Sequence, residues 1–422
     1  MHISGYRFSL IITTLLLCMW IIGGCASNAA SPAQIGSRVT SSDAASSEQT
    51  DSQTFSQDVA DSAITDYHAS SWAAMEPTGH MPLDYATEFA VDYYDDLALI
   101  TIGGTDRYLL IPENAKAPAD LNTDIIPIRK PDTIYLAASA GMDYFRVLKA
   151  LDTVRMTSTH AVNWSLPEVV QALDSEKMLY AGKYSAPDYE LLLREGIDLA
   201  IESTMIYHTP ETKEKIEKLG IPVLVDKSSY EPHPLGRMEW IKLYGLLLDK
   251  TDEADAFYNE QLASLAAVPE LSKMLSSQDS PTVAYFYITS SGYANVRSPG
   301  DYISKMIEMA GGSYAFADAS VSEDSAKATM NMQMEAFLDR ALLSDILIYS
   351  TSIDGELHSA EELYKKAPML KQSKAASAGN IWITDKNMYQ QTTAVAEMML
   401  ELHSVITGNA DEDELIFLHK LK

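Results

Sequence analysis

Two series of alternating strands and helices, separated by one long helical segment, constrain this chain more than any other feature. Over residues 238–265 apolar side chains recur at helical spacing. Before this segment, buried strands such as 133–137 alternate with helices such as 142–151, and after it the alternation resumes with a strong strand over 282–289. This order predicts an α/β protein with two Rossmann-like lobes, each built on a central, mostly parallel sheet, joined by one long interdomain helix.

Two lobes joined by a single connector leave a cleft between them. Open α/β sheets bind ligands at the carboxyl ends of their strands, so the cleft is the expected binding site. Outside the alternating series, the pattern predicts a hairpin formed by strands 97–102 and 108–111, and C-terminal helices over 391–406 and 411–419.

The N-terminus has the pattern of an export signal. An apolar run over 8–22 follows Arg7 and ends in Gly23, Gly24 and Cys25. An apolar core this short, followed by small residues, is typical of a secretory signal and not of a membrane span. The next stretch, to about Ser71, is rich in Ser, Ala, Thr, Asp and Gln and cannot bury enough apolar surface to fold, which predicts a disordered tether.

These patterns together predict five segments. They are a signal peptide at 1–24, the Cys25 position and tether at 25–75, an N-terminal α/β lobe at 76–236, the connecting helix at 237–268, and a C-terminal α/β lobe at 269–422.

Charge and cysteine content exclude several kinds of function. The net charge of −28 opposes binding to nucleic acid, because phosphate backbones require a basic surface. Cys18 lies in the signal, which leaves Cys25 as the only cysteine of the mature chain. Disulfides, cysteine-based zinc sites and thiol catalysis are therefore not expected in the folded part.

Three sequence segments resemble known proteins. Cys25, directly after two glycines, resembles the lipobox of bacterial lipoproteins, which implies that Cys25 is acylated and begins the mature chain. Residues 230–245 (YEPHPLGRMEWIKLYG) and the strand–turn–helix over 296–312, which ends in Ala-Gly-Gly, resemble the class III substrate-binding proteins of ABC importers, the ferric-siderophore and cobalamin family.

The resemblance implies a fold and a function. The fold would be the class III periplasmic-binding-protein fold, and the chain would be a lipid-anchored, extracytoplasmic binding protein on a Gram-positive surface or in a periplasm. It would capture an iron chelate (ferric siderophore or haem) or a corrinoid and deliver it to the permease dimer of an ABC importer. We expect a monomer without enzymatic activity, bound metal or cofactor.

Two acidic residues match the docking positions of that family. Its members place one exposed glutamate on each lobe, where it meets arginines of the permease, and the corresponding residues here are Glu190 and Glu335. Each glutamate begins a short predicted helix that leads into a strand. A carboxylate at a helix start also favours the positive end of the helix dipole, so a capping role for each is the structural alternative.

Candidate ligand-binding residues lie in loops that follow predicted strands. Aromatic rings offer flat apolar contact to a corrin or aryl group, and an arginine pairs with anionic oxygens of a chelate. With 23 tyrosines in the chain, an aromatic residue in a loop is weak evidence by itself. The candidates are His160, Trp164, Tyr207, His208, Tyr293, Arg297, Met388 and Tyr389.

Three alternatives remain open at this point. A binding protein for free zinc or manganese needs three or four converging His or carboxylate ligands, whereas the 9 histidines here are scattered. A surface enzyme of unrecognised class would need a catalytic motif, and the chain contains neither a Gly-x-Ser-x-Gly nor a His-Glu-x-x-His sequence. A structural surface lipoprotein is the third alternative.

Overall fold

Strands and helices alternate through most of the computed structural model, which describes residues 71–268, 280–319, 328–351 and 355–422. The described part lies in one compact unit that spans Ser62–Lys422. The strands are β1 Gly79–His80, β2 Phe89–Tyr94, β3 Leu97–Ile102, β4 Asp106–Leu110, β5 Ile125–Ile128, β6 Ile134–Leu136, β7 Val154–Thr157, β8 Leu179–Tyr180, β9 Gly182–Lys183, β10 Ala186–Pro187, β11 Leu199–Ser203, β12 Val223–Asp226, β13 Thr282–Ile288, β14 Ala294–Arg297, β15 Ser313–Tyr314, β16 Thr329–Met332, β17 Ile346–Tyr349, β18 Ile381–Thr384 and β19 Leu418–Lys420.

The helices connect these strands. The α-helices are α1 Met142–Val147, α2 Pro167–Asp174, α3 Tyr189–Arg194, α4 Pro210–Lys218, α5 Pro234–Glu239, α6 Ile241–Leu247, α7 Thr251–Ala266, α8 Tyr302–Met309, α9 Met334–Ala341, α10 Ala360–Lys366, α11 Lys374–Ala378 and α12 Val395–Thr407. Short 3₁₀ helices cover Trp72–Ala74, Ser139–Gly141, Leu151–Thr153, Ala161–Asn163, Thr204–His208, Ser228–Tyr230, Pro368–Gln372 and Lys386–Tyr389. Within the described ranges, no helix has both the length and the apolar character needed to cross a membrane.

The two lobes each contain an α/β sheet. The N-terminal lobe holds a fully parallel sheet in the order β12-β11-β6-β7-β8. The C-terminal lobe holds a seven-stranded sheet in the order β16-β14-β13-β17-β18-β19, in which β15 also pairs with β13. Its centre, β13-β17-β18, is parallel, and antiparallel strands lie at both sides. The predicted α/β fold class is confirmed.

A third sheet precedes the parallel one in the N-terminal lobe. Its order is β1-β2-β3-β4-β5, with antiparallel pairs from β1 to β4. The predicted hairpin is present as β3 and β4, which pair from Ala98↔Leu110 to Ile102↔Asp106. Gly103 and Gly104 form its turn at φ +57 and +72, a backbone conformation that glycine adopts without steric cost.

The connecting segment differs from the single helix expected over 238–265. It forms α5, α6 and α7, interrupted at Trp240 and again at 248–250, and α7 packs against α6. The second turn contains Asp249 at φ +59, and the Lys250 amide donates to the Gly245 carbonyl at 2.7 Å. Apolar spacing continues through this turn because both helices bury their apolar faces, so periodicity alone does not reveal the break.

Two buried glutamates hold α5 against residues 84–88, which lead into strand β2. The Glu239 carboxylate accepts hydrogen bonds from the amides of 84–86 at 2.8–3.1 Å and from Lys242 Nζ at 2.9 Å. The Glu231 carboxylate accepts from the amides of Thr87 and Glu88 and from Trp240 Nε1. Burial raises the pKa of Glu239, but the Lys242 and amide hydrogen bonds outweigh burial and lower it.

The same contacts explain much of the segment over 230–245. His233 caps α5 by accepting from the Leu235 amide at 3.2 Å, and its ring stacks on Tyr85 with centroids 4.5 Å apart. A Cβ at Gly236 would lie 2.8 Å from the Tyr85 carbonyl oxygen, which only glycine avoids. Glu231, His233 and Glu239 are all engaged in these contacts, which hold α5 in place.

Two expectations about the ends of the folded chain need correction. Trp72, placed in the tether by the predicted boundary at 75, is buried, and its ring lies 4.8 Å from that of Tyr94. Near the C-terminus, the helix expected over 411–419 is a turn followed by strand β19, which pairs antiparallel with β18. Glu401 of α12 stabilises the chain that enters β19 by accepting hydrogen bonds from the amides of 416–418. The signal peptide, Cys25 and most of the tether lie outside the described residues.

Candidate functional site

Residues 390–393 of the C-terminal lobe contact the N-terminal lobe near the carboxyl end of its parallel sheet. Gln390, which follows β18, accepts from the Ser165 amide at 2.7 Å and donates to the Asn163 carbonyl at 2.8 Å. Both partners lie in the loop after β7. The site where open α/β sheets bind ligands is therefore shared by loops of both lobes.

Two threonines extend this contact between the lobes. Thr392 donates to the Ala140 carbonyl at 2.9 Å. The amide and hydroxyl of Thr393 both donate to the Asp143 carboxylate, at 2.9 and 2.6 Å, and Asp143 also pairs with Arg146. Asp143 is fully buried, so these bonds hold α1 of the N-terminal lobe directly against the C-terminal lobe.

On the C-terminal side, a buried tyrosine joins two of the predicted site residues. The Tyr285 hydroxyl of β13 lies 2.6 Å from the Tyr389 hydroxyl and 4.0 Å from the Met388 sulfur. Tyr389 also contacts the Ser350 hydroxyl, at the end of β17, at 3.4 Å. Met388 is buried, whereas Tyr389 is partly exposed, so of these two predicted site residues only Tyr389 has substantial solvent-accessible surface.

Arg297, the predicted anion anchor, is already paired. Its Nε and Nη2 donate to the two carboxylate oxygens of Asp301, both at 2.6 Å, and its side chain is 11% exposed. The guanidinium also faces the Tyr302 ring at 5.6 Å. Two of its nitrogen atoms therefore already donate hydrogen bonds within the protein, so fewer N–H donors remain for a ligand than the sequence suggested.

A second arginine lies on the same tyrosine ring. The Arg237 guanidinium is 4.6 Å from the centroid of Tyr302, and Arg237 is almost completely buried. Burial raises the pKa of the Tyr302 hydroxyl to about 12, while the two guanidinium groups act in the opposite direction. Tyr302 thus lies between two arginine guanidinium groups.

On the N-terminal side, the loop after β7 places His160 and Trp164 close together. The His160 ring stacks on Tyr180 with centroids 3.6 Å apart, and the Trp164 indole donates to the Thr159 carbonyl at 3.2 Å. Trp164 and Lys386, from opposite lobes, line a cavity of about 660 Å³ that continues along α2. This volume falls within the range of known ligand pockets.

The remaining candidates lie apart from these residues, on exposed turns. Tyr207 and His208 are exposed in the 3₁₀ helix after β11, where Lys227 Nζ lies 5.7 Å from the Tyr207 ring. Burial and the neighbouring Asp106 raise the pKa of Tyr207 to about 12. Tyr293 is exposed in the turn between β13 and β14, which its amide stabilises by donating to the Thr289 hydroxyl.

The two predicted docking glutamates occupy equivalent positions. Glu190 is the second residue of α3, Glu335 is the second residue of α9, and both are exposed. At α3 the capping bond comes from Asp188, which accepts from the Leu191 amide at 2.9 Å. Among the described residues neither glutamate has a hydrogen-bond or ion-pair partner, so neither caps its helix by a hydrogen bond, and the favourable position of each carboxylate at the positive end of the helix dipole remains the structural alternative.

A family comparison identifies the fold that brings these loops together. The model of the family described as "Periplasmic binding protein" matches residues 138–388, more than half of the chain. The chain belongs to the periplasmic binding protein family. The resemblance seen in residues 230–245 and 296–312 is thereby confirmed, and the chain is a solute-binding protein of this family.

Relatives of this periplasmic binding protein include lipoproteins and solved structures. An uncharacterized lipoprotein of Methanocaldococcus jannaschii is 24% identical over 330 residues, 75% of this chain and 80% of the relative. A periplasmic haem-binding protein from Pseudomonas aeruginosa superposes with a TM-score of 0.55 at 15% identity, over 69% of this chain and 98% of its own. The petrobactin-binding protein YclQ from Bacillus subtilis gives a TM-score of 0.52 at 15% identity, over 66% and 93%. At these identities, the solved structures show that the fold is shared.

One finding bears on the metal-binding alternative considered from sequence. Within the described residues of this binding protein, no group of three or more His, Cys, Asp or Glu side chains could hold a metal ion. Arg237, which lies in the Pro-Leu-Gly-Arg sequence at the start of α5, was not among the candidates identified from sequence. A positive charge between apolar and small residues at a lobe boundary was the available indication.

Proposed function

We propose that this periplasmic binding protein captures a bulky iron chelate, either a ferric siderophore or haem, or a corrinoid, between its lobes. The observation that carries the proposal is the contact between the two lobes at Gln390, near the carboxyl end of the parallel N-terminal sheet, beside a cavity lined by Trp164 and Lys386 from opposite lobes. Trp164, although buried, borders the cavity beside α2 together with Lys386, which provides positive charge, and Tyr389 adds a partly exposed ring. A large, flat, anionic ligand matches this combination.

The names of structurally similar proteins support the same class of ligand. One of them is called a haem-binding protein and another a petrobactin-binding protein. Free zinc or manganese is the weaker candidate, because it needs converging His or carboxylate ligands.

We further infer that the protein delivers its ligand to an ABC importer while anchored to the membrane by a lipid on Cys25. The Gly-Gly-Cys sequence after an apolar run supports the anchor, as does a relative that is named a lipoprotein. Partitioning of the wild-type chain and of Cys25→Ser between detergent and aqueous phases tests it. A Cys25→Ser chain that still partitions with detergent would reject acylation as the anchor.

Thermal unfolding of residues 62–422 against a ligand panel tests the proposed cargo. The panel contains ferric siderophores, haem, cobalamin, Zn²⁺ and Mn²⁺. A ligand that binds only the folded state raises the free energy of unfolding by about 2.7 kcal/mol at a hundredfold excess over its Kd. A higher midpoint with one chelate supports the proposal, and a higher midpoint with a bare metal ion alone contradicts it.

A further inference from the structure

Residues 386–393, which we call the contact segment, connect the C-terminal lobe to the N-terminal lobe. The first of them, Lys386, lines the cavity of about 660 Å³ together with Trp164 of the other lobe. Gln390 and Thr393 form hydrogen bonds with residues of the N-terminal lobe. The position of the contact segment therefore affects both the cavity and the contact between the lobes.

Asp385 fixes the beginning of the contact segment. Its Oδ1 accepts from the Asn387 amide at 2.9 Å and so caps the 3₁₀ helix Lys386–Tyr389, while its own amide donates to the Phe417 carbonyl at 2.8 Å. The other carboxylate oxygen, Oδ2, lies 3.2 Å from Nε2 of His419 in β19. A single carboxylate thus links the contact segment to the strand at the end of the C-terminal sheet.

His419 is near carboxylates from two different elements. β18 leads into Asp385, and α12 contributes Glu401, whose carboxylate accepts from backbone amides of the chain that enters β19. Burial raises the pKa of Glu401, whereas these amide bonds and the charge of His419 act in the opposite direction. On the strand of His419 itself, the neighbouring Lys420 is paired with Glu412 at 3.0 Å. A proton on the His419 ring is therefore attracted by both Asp385 and Glu401.

The strength of the contact between His419 and Asp385 depends on pH. Histidine changes its charge between pH 5 and 8, and the two side chains are 42% and 33% exposed, so protons of the solvent reach the ring. A protonated ring adds the attraction of an ion pair to the hydrogen bond, whereas a neutral ring offers only the hydrogen bond. The link between β19 and the contact segment is therefore stronger at low pH and weaker at high pH.

We propose that His419 is a positioning residue that holds the contact segment more firmly when its ring is protonated. It acts through Asp385 and does not itself touch a ligand. β19 lies outside residues 138–388, the part of the chain that the family model matches. The effect on ligand binding rests on the proposed function, whereas the effect on the contact segment does not depend on it.

Amide hydrogen exchange of the contact segment in the full-length chain tests the proposal. Protection factors, which are corrected for the intrinsic pH dependence of exchange, are compared at pH 6 and pH 8. His419→Gln keeps a neutral hydrogen-bond donor, and His419→Lys keeps a positive charge at both pH values. The matched control is His80→Gln, because His80 pairs with Asp92 in the antiparallel sheet of the N-terminal lobe.

For wild type we expect protection of the contact segment to be about two- to fivefold higher at pH 6 than at pH 8, the effect of a partly exposed ion pair. His419→Gln should show the lower protection at both pH values, and His419→Lys the higher protection at both. His80→Gln should behave as wild type does.

Ligand affinity provides a second measurement, with cobalamin and a neutral ferric trihydroxamate as probes. Wild type should bind the probe that it accepts about two- to fivefold more tightly at pH 6 than at pH 8, because the contact segment is held more firmly. In both His419 variants the affinity should be the same at the two pH values.

Several results would overturn the inference. Equal protection at pH 6 and pH 8 in wild type would do so, as would a pH difference that persists in His419→Gln. Lower protection of β18, β19 and the contact segment in both His419 variants at both pH values would assign His419 an ordinary structural role. Affinity that does not vary with pH would reject the effect on ligand binding. If wild type binds neither probe, that result counts against the proposed function, and the exchange measurement still decides whether His419 holds the contact segment.

Discussion

The carboxyl group of Glu202 lies inside the N-terminal lobe, and within the described structure neither of its oxygens has a hydrogen-bond partner. It projects from β11 on the same face as Ala200, into the apolar core that includes Leu192 of α3 and Ile216 of α4. Burial raises the pKa of Glu202 from 4.5 to about 8. The folded protein therefore keeps this carboxyl protonated at neutral pH.

This shifted pKa makes stability depend on pH. Between pH 4.5 and 8 the folded state holds a proton that the unfolded state has lost, so the free energy of unfolding falls as pH rises. The contribution of one such group is about 1.4 kcal/mol per pH unit. For Glu202→Gln, the free energy of unfolding, measured with urea at pH 5, 6 and 7, should decline less with rising pH than it does for wild type. The control is Glu190→Gln, a change at an exposed position, for which the free energy of unfolding should decline with pH as it does for wild type. Equal pH slopes for all three proteins would refute the raised pKa of Glu202.

At the scale of single elements, the turn between α6 and α7 depends on Gly245. A Cβ at this position would lie 2.6 Å from the Ala254 Cβ and 3.0 Å from the Lys250 carbonyl oxygen. The sequence predicted helix here correctly, but not the turn, because the close approach of two helices is not encoded in the spacing of apolar residues. Gly245 and Asp249 were the local indications of a break.

We expect Gly245→Ala to destabilise the protein by about 1–3 kcal/mol, the usual effect of forcing an extra carbon into a packed contact. The midpoint of urea unfolding measures it. Gly300→Ala is the control, since a Cβ there meets no atom within 4 Å and its φ is not positive. A Gly245→Ala midpoint equal to that of Gly300→Ala would show that α6 and α7 separate without cost.

At the scale of the whole molecule, one apolar core runs through both lobes. It includes Leu136 and Met142 of the N-terminal lobe, Trp240 and Leu243 of the connecting helices, and Leu347 of the C-terminal lobe. A shared core and the hydrogen bonds of 390–393 oppose large hinge movements. We therefore expect the lobes to open only slightly, although the connector is not the single stiff helix predicted from sequence.

Docking to a permease through Glu190 and Glu335, which the family resemblance implies, also belongs to this scale, because it would involve both lobes at once. The double variant Glu190→Ala with Glu335→Ala should keep its ligand affinity and unfolding midpoint, since both carboxylates are exposed and unpaired within the described structure. Uptake of the ligand by cells should be lost, because charge complementarity to the permease arginines is removed. Uptake assays with labelled ligand measure this.

A matched double variant makes the docking experiment specific. Glu211→Ala with Glu361→Ala removes one exposed glutamate per lobe, each at the second position of another helix, α4 and α10. This control should transport normally. Normal uptake by the Glu190 and Glu335 double variant would reject the docking assignment.

The sequence by itself determined the features that depend on local periodicity and composition. Strand and helix order, the two α/β lobes, the hairpin around Gly103 and Gly104, and the family were all accessible, because apolar spacing reflects which face of each element is buried. Tertiary structure alone decided the surroundings of Arg237. Arg297 meets a carboxylate only four residues away, Asp301, whereas the Tyr302 ring and the Thr392 hydroxyl reach Arg237 from distant parts of the chain, because they come together only after the connecting segment has packed against the C-terminal lobe.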